Sequence, residues 1–344
     1  MSVIKVNNIT NETGTAGPVF AGITTISSTG FMTLPAGPEE YRGGRGRGLF
    51  GGGTTPTNSN VIEYVTISTQ SNATDFGDLT AARGEIGAFG SSTQGFFCGG
   101  LVNPSVVNTI EYVTISSTGN AFNFGELDAT RWGGTGLSNS TRGIYGKGRN
   151  PSANPNADTF SIQRINLSSK GNASYFGDLI SNVITSGACA SPTRGLFGGG
   201  GAPNINSIEY ITINTTGNGI DFGDLSISRR RLTGLSNSVR GIFGGGLPSP
   251  DATNVIEYVT IASLGDSIDF GDLTQTLNTL SACASPTRGI FAGGGNPSPT
   301  PTIVNVIQFI TIATTGNATT FGNLTESKTI SNSGCSDAHG GIGD

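Results

Sequence analysis

Few residue types in this sequence are suited to catalysis. The only histidine is His339, and the four cysteines lie far apart, without the Cys-x-x-Cys spacing of a zinc or redox site. No Lys-Ser or Lys-Thr pair follows the glycine-rich segments, which therefore do not match a phosphate-binding loop. We expect no catalytic residue, no metal site and no cofactor.

A recurring arginine is the most regular feature with chemical potential. It begins Arg-Gly-apolar segments, and an acidic residue recurs separately in Phe-Gly-Asp-Leu segments. The arginines are Arg47, Arg142, Arg194, Arg240 and Arg288, with Gln94 and His339 as variants. The acids are Asp78, Glu126, Asp178, Asp224 and Asp272. We expect structural arginine–carboxylate pairs between strands. The alternative is an anion-binding ring at the mouth of a pore.

The elements that must position these side chains are repeated along the chain. The Phe-Gly-x-Leu motif recurs at intervals of 48, 52, 46, 48 and 51 residues, from Phe76 to Phe321. An Ile-Glu-Tyr-(Val/Ile)-Thr-Ile motif has the same period. Each unit reads as four short strands, a to d, separated by turn residues. Six such units predict an all-β fold, a six-bladed β-propeller over residues 41–344, with a seventh, truncated unit as the competing interpretation.

Composition agrees with this architecture. Glycine accounts for 55 of 344 residues and charged residues for only 12 %, which disfavours long helices. We expect the Gly-Gly-Gly segments to be strand b residues that need small side chains near the crowded axis. The first unit lacks a strand a, whereas the last continues into Ser333–Ser336, so we expect the C-terminal strand to complete the first blade. Residues 338–342 resemble the start of a strand b.

The doublet-glycine strand followed by a tyrosine-bearing strand resembles the kelch family of propellers. The resemblance covers residues 47–344, although the outer-strand tryptophan usual in that family is replaced by the phenylalanine of Phe-Gly-Asp-Leu. It implies a propeller fold and a tendency to bind partners, with no fixed activity.

Residues 1–40 do not match the repeat and are too few to bury a core of their own. The segment Ile4–Phe20, with its Gly-Thr-Ala-Gly-Pro turn, resembles the start of structural proteins of tailed marine phages, especially cyanophages. There it is an attachment segment of fibre-type proteins. We expect an extended attachment arm whose apolar contacts are Val3, Ile4, Val6, Ile9, Val19 and Phe20.

Recognition is expected on the end of the propeller formed by the b–c and d–a connections, which vary most between units. Trp132 beside Arg131 could stack on a sugar, and the third unit carries a basic patch. The candidate ligand-facing residues are Arg83, Arg131, Trp132, Arg149, Arg229, Arg230 and Arg231.

These observations favour a non-enzymatic virion structural protein, part of a tail, neck or capsid fibre, assembled in the host cytoplasm. Expected partners are other virion proteins through the arm, a host surface glycan and further copies of the chain. The net charge of −5 argues against nucleic acid, and no apolar run is long enough to span a membrane. The alternative is a cellular kelch-type module that binds protein or glycan.

Overall fold

The computed structural model describes residues 46–151, 157–297 and 301–343. These residues form six antiparallel four-stranded sheets arranged as blades around a central axis, which confirms the six-bladed propeller. Residues 39–344 constitute one compact unit. The expected attachment residues, Val3 to Phe20, lie outside the described residues. Within the described part of the chain, no helix is long and apolar enough to cross a membrane.

In every blade the strands follow one another from the axis outward in the order a, b, c, d. Blade 1 contains Gly334–Ser336, Arg47–Gly51, Val61–Thr66 and Thr74–Asp78. Blade 2 contains Gly87–Gly90, Gln94–Cys98, Thr109–Thr114 and Phe122–Glu126. Blade 3 contains Thr135–Ser138, Arg142–Gly146, Ser161–Asn166 and Ser174–Asp178.

Blades 4 to 6 repeat this order. Blade 4 contains Gly187–Ala190, Arg194–Gly200, Ile205–Thr212 and Ile220–Asp224. Blade 5 contains Thr233–Ser236, Arg240–Gly244, Val255–Thr260 and Ile268–Asp272. Blade 6 contains Ser281–Ala284, Arg288–Ala292, Val306–Thr311 and Thr319–Asn323. Four b–c connections also carry a hairpin: Thr54–Thr55 with Thr57–Asn58, Leu101–Val102 with Ser105–Val106, Arg149–Asn150 with Ala157–Asp158, and Gly295–Asn296 with Thr302–Ile303.

The core lies between blades rather than within them. Each of six apolar clusters joins the facing sides of two neighbouring blades; one contains Leu235 and Ile242 of blade 5 with Ala282 and Phe291 of blade 6. Strand a has room only for small side chains there: a Cβ on Gly234 would lie 2.4 Å from the carbonyl oxygen of Ala188 in the preceding blade.

The Gly-Gly-Gly segments correct our expectation about crowding at the axis. In blade 5 only Gly244 belongs to strand b, whereas Gly245 and Gly246 follow it with φ of 62° and 111°. These are left-handed conformations that L side chains rarely adopt. In blade 5 the second and third glycines therefore turn the chain out of strand b at the far end of the blade, whereas in blade 4 all three glycines belong to the strand.

An asparagine or aspartate of each c–d turn joins neighbouring blades at the outer edge. Its side-chain oxygen accepts a hydrogen bond from the backbone N–H at the end of the previous blade's strand d, as Asp266 Oδ1 does from Asp224 N at 2.9 Å. The same bond occurs at all six interfaces, with acceptors Asn72, Asn120, Asn172, Asn218, Asp266 and Asn317. The turn thereby covers part of the outer strand that would otherwise be an open sheet edge.

The C-terminal strand completes blade 1, as expected. Leu49 of strand b pairs with Cys335, and the Asp337 carboxylate accepts a hydrogen bond from Arg47 N at 3.0 Å. Ser191 makes the corresponding bond to Arg194 N in blade 4. Both ends of the propeller sequence thus meet in one sheet.

We predict that truncation after Ser333 opens the ring, because blade 1 then loses strand a and the Asp337 cap. With about 1 kcal/mol lost per hydrogen bond, the free energy of unfolding should fall by roughly 3 kcal/mol or more in denaturant titrations. Truncation after Asp337 is the control, since it keeps strand a and the cap. Equal stability of the two truncated chains would contradict the closure role.

Candidate functional site

The two ends of the ring differ in their connections. We call the end formed by the a–b and c–d turns the turn face, and the end formed by the b–c and d–a connections the loop face. The recurring arginines lie at the turn face, and the variable connections lie at the loop face. Between the faces runs an axial channel lined by the six strands a.

Among the residues that the structure describes, the recurring arginines do not pair with carboxylates, contrary to our expectation. Arg240 Nη1 donates to the carbonyl oxygen of Ile312 in the next blade at 2.9 Å. Each of the five arginines reaches the end of strand c in the next blade in this way, from Arg47, Arg142, Arg194, Arg240 and Arg288. They therefore connect neighbouring blades through backbone carbonyls.

The acids of Phe-Gly-Asp-Leu lie too far along the strands for the expected pairing. Within blade 5, Arg240 pairs with Thr260 at one end of strand c, and Asp272 pairs with Val255 at the other. Five residues of extended chain separate these positions by about 17 Å. The same register holds for Asp78, Asp178 and Asp224, each opposite the first residues of its strand c.

Buried ion pairs lie beneath the loop face and involve residues that we expected to face a ligand. Arg229 is 0 % exposed, and its Nη2 donates to Glu257 Oε2 at 2.7 Å. Arg83 is 1 % exposed and contacts Glu111 at 3.1 Å. Arg131 is 3 % exposed and contacts Asp128 at 2.9 Å. The assignment of Arg83, Arg131 and Arg229 as ligand-facing residues was therefore wrong. Arg83 and Arg229 each neutralise a buried carboxylate, and Arg131 is itself buried with its guanidinium held by Asp128, which is 46 % exposed.

The buried cations pair with the glutamates of the strand c motif, which we did not predict from the sequence to carry buried charge. Glu63, Glu111, Glu209 and Glu257 each form an ion pair with a cation from the connection entering their blade or from the preceding blade. The fourth residue after the Phe-Gly-x-Leu leucine supplies the cation in blades 1, 2 and 5, as Lys328, Arg83 and Arg229. This spacing of the cation from the leucine was the sequence signal that could have identified the buried ion pairs.

Blades that depart from this pattern remain balanced in charge. Blade 6 has Gln308 in place of glutamate, and Leu277 stands where the cation would be. Blade 4 has Val183 at the cation position, and Lys147 supplies the charge from blade 3, with Nζ 3.6 Å from Glu209 Oε1. Lys147 occupies a position that is glycine in the other blades and has φ of 61°. An L residue in this conformation costs about 1 kcal/mol.

Burial shifts the titration of these groups in a consistent direction. It lowers the pKa of Arg229 and of Lys147, and the charges of Glu257 and Glu209 act in the opposite sense. Buried charges of this kind are tolerated because each has a partner. The ion pairs consequently anchor the d–a connections to the blade framework.

The remaining predicted loop residues are half-buried on or beside the loop face. The Arg149 guanidinium lies 5.7 Å from the centre of the Trp132 ring. Arg230 forms a backbone bridge with Leu247, and Arg231 has a φ of 56° next to the axis. Trp132 therefore packs with Arg149 rather than with Arg131.

Polar groups from opposite blades meet across the axial channel at the loop face. Asn332 Nδ2 of blade 1 donates across the channel to the carbonyl oxygen of Ser186 in blade 4 at 2.8 Å. Burial raises the pKa of the Glu85 carboxyl, while the charge of Arg231 and a hydrogen bond from Ser331 lower it.

The C-terminal residues close the turn-face mouth, and here the expected strand b was wrong. His339 Nε2 lies 2.8 Å from the carbonyl oxygen of Gly90, and Gly341 N donates to His339 Nδ1 at 3.2 Å. A Cβ on Gly341 would lie 1.7 Å from the carbonyl oxygen of Ser138, so a residue with a side chain does not fit at this position. These bonds require a neutral imidazole with its proton on Nε2. Burial accordingly lowers the pKa of His339.

A cavity of about 50 Å³ remains inside the channel next to this tail, enough for a few waters. Cys189, Cys283 and Cys335 lie on equivalent strands a around it, and all four cysteines of the chain are free and buried. Burial raises the pKa of the Cys189 and Cys335 thiols to about 12. The thiols are thus inert packing groups.

No protein-family model matches the sequence, and no curated protein matches it.

We predict that Glu257→Gln destabilises the protein by about 3–5 kcal/mol, because it leaves the Arg229 charge buried without a partner. The double variant Glu257→Gln/Arg229→Leu copies the Gln308–Leu277 combination of blade 6 and should recover most of this loss. Urea unfolding of both variants measures the difference. If the double variant were no more stable than the single one, charge balance would not be the reason for the pairing.

We also predict a stability loss in mild acid that depends on His339. The folded state resists protonation of this buried imidazole, whereas the unfolded chain binds a proton below about pH 6.5. Stability should therefore fall as pH decreases from 7 to 5, by at most about 1.4 kcal/mol per pH unit. His339→Gln keeps a donor for Gly90 and should lack this part of the slope. Parallel pH profiles for the two proteins would refute a neutral buried histidine.

Proposed function

We propose that this chain is a non-enzymatic structural protein of a virus particle, with residues 1–40 attached to other virion proteins and the propeller displayed at the surface. The observation that carries the display role is the contrast between the two possible binding regions. The chain's own residues occupy both ends of the axial channel, whereas the b–c connections reach solvent at the loop face.

The loop face suits recognition because its connections differ while their supports are fixed. The tips expose proline and small polar residues, among them Pro56, Asn103, Pro203 and Asp251. Below them, the buried ion pairs and the bridges between d–a and b–c connections hold the backbone. Binding to such a preorganised surface loses little conformational entropy. The ligand class that we favour is a host surface glycan.

The assignment to a virion is supported by the N-terminal segment. The resemblance of Ile4–Phe20 to the attachment segments of tailed-phage fibre proteins is the reason to place the propeller on a particle. The kelch-like repeat supports a binding module in general, and it also fits a cellular protein- or glycan-binding module. Whether the chain is found in virus particles or in cells distinguishes these two proposals.

Deletion of residues 1–40 is predicted to abolish incorporation into particles while leaving the propeller folded. Particles purified after expression of the full chain or of the deletion variant can be compared by mass spectrometry, with thermal unfolding as the check on folding. A full chain with its Pro248–Asp251 tip replaced by Gly-Ser-Gly-Ser is the matched control, and we expect it to be incorporated. Equal incorporation of the deletion variant, or absence of the full chain from particles, would overturn the attachment role.

Glycan binding by the full chain can be tested separately on a glycan array. Replacement of the exposed tips at Asn103-Pro104 and Pro248–Asp251 should reduce binding at least tenfold, since the proposed contacts lie there. Undiminished binding by these variants would exclude the tips as the recognition surface.

A further inference from the structure

Blade 3 departs from the other five at the outer part of its turn face. In those five blades a cation lies over the aromatic ring of strand c, 4.7–4.9 Å from the ring centre. The pairs are Arg47–Tyr64, Lys170–Tyr112, Arg194–Tyr210, Arg240–Tyr258 and Arg288–Phe309. In blade 2, where Gln94 replaces the arginine, Lys170 of blade 3 supplies the cation instead.

The aromatic ring is replaced by a second arginine in blade 3. Arg142 pairs with Asn166, and Ile144 pairs with Arg164, so both arginine side chains leave the same face of the sheet from diagonal positions. In every other blade a cation lies over an aromatic ring at this place, and the two attract each other. Blade 3 instead brings together two like charges, which repel in the absence of an anion.

The two guanidinium groups are only partly used by the protein. Arg142 Nη1 donates to the carbonyl oxygens of Ile213 and Asn214, at 3.1 and 2.6 Å. Arg164 Nε donates to Ser174 Oγ at 2.9 Å. Each guanidinium carries a positive charge and has five N–H donors. Both side chains are partly exposed, so their further donors are accessible.

These arginines border a cleft of about 460 Å³. Its other lining residues are Thr141, Ile165, Asn166, Asn172 and Ser174. The volume lies in the range of small-molecule sites. Hydroxyl and amide groups dominate the lining, and they match the hydroxyl groups of a sugar, while a planar carboxylate matches the fork of an arginine.

From this arrangement we infer that the blade 3 cleft binds an acidic saccharide, with the carboxylate of a uronic acid held by Arg142 and Arg164. The cleft lies on the turn face, away from the loop-face connections that we propose to bind a host glycan. The inference therefore does not depend on the proposed virion role, and either can fail without the other.

Isothermal titration of the full chain with trigalacturonate tests the inference, with the fully methyl-esterified trisaccharide as the neutral comparison. We expect binding of the acid form and at least tenfold weaker binding of the ester. The acid form should also raise the melting temperature, because it binds only the folded state. Absence of binding, or equal binding of the ester, would overturn the proposal.

Arg164→Tyr is the decisive variant because it recreates the cation–aromatic pair of the other blades. It should fold at least as stably as the natural chain and lose at least tenfold in affinity. Arg164→Gln is the second variant and should behave likewise. Arg149→Gln removes the same charge from blade 3 at the loop face and should bind normally. Unchanged affinity in Arg164→Tyr would overturn the site, and so would an equal loss in Arg149→Gln.

Inorganic sulfate and a sulfated galactose trisaccharide separate the anion from the sugar. We expect sulfate alone to bind at least tenfold more weakly than trigalacturonate, since it lacks the hydroxyl contacts. Equal affinity for inorganic sulfate would reduce the site to a simple anion site and overturn the saccharide assignment. Tighter binding of the sulfated sugar than of trigalacturonate would overturn the assignment to a carboxylate.

Discussion

Closure of the ring is the constraint on which the rest of this structure depends. The apolar core lies between blades, so no blade buries its own hydrophobic side chains without both neighbours. The ring is joined by the C-terminal strand Gly334–Ser336, which pairs with the strand that begins at Arg47. Small side chains at the axis, turns that cover the outer strands and arginines that reach across the interface all serve this one requirement.

Repetition of the interface explains why substitutions in one blade are matched in another. A buried carboxylate is costly unless a cation accompanies it. In blades 4 and 6 a change in one partner is matched by a change in the other, whereas blade 3 keeps Arg131 opposite Gln163 and pairs it with Asp128. Lys147 replaces the cation missing at Val183, and Leu277 accompanies the loss of charge at Gln308. Lys170 takes the place of an arginine that is absent in blade 2. The charge pattern is thus a property of the ring and not of the single repeat.

A closed ring also determines where binding can occur. The axial channel, the natural concave site of such a ring, is filled at one end by His339 and Gly341 and crossed at the other by Asn332. Surfaces outside the channel remain, namely the anchored connections of the loop face and the cleft beside Arg164. The same rigidity that stabilises the ring preorganises both surfaces.

The sequence by itself determined the number of blades, the four strands in each and the closing C-terminal strand. Those features follow from local periodicity and turn chemistry, which the chain carries in every repeat. It also indicated a structural role for Arg240 and its equivalents, but not the backbone carbonyls of the next blade that they reach. Only the tertiary structure placed Asp272 at the opposite end of strand c from Arg240, and buried Arg83, Arg131 and Arg229 beside carboxylates. Register and blade packing decide those distances, and residues that meet across an interface leave no local pattern in a single sequence.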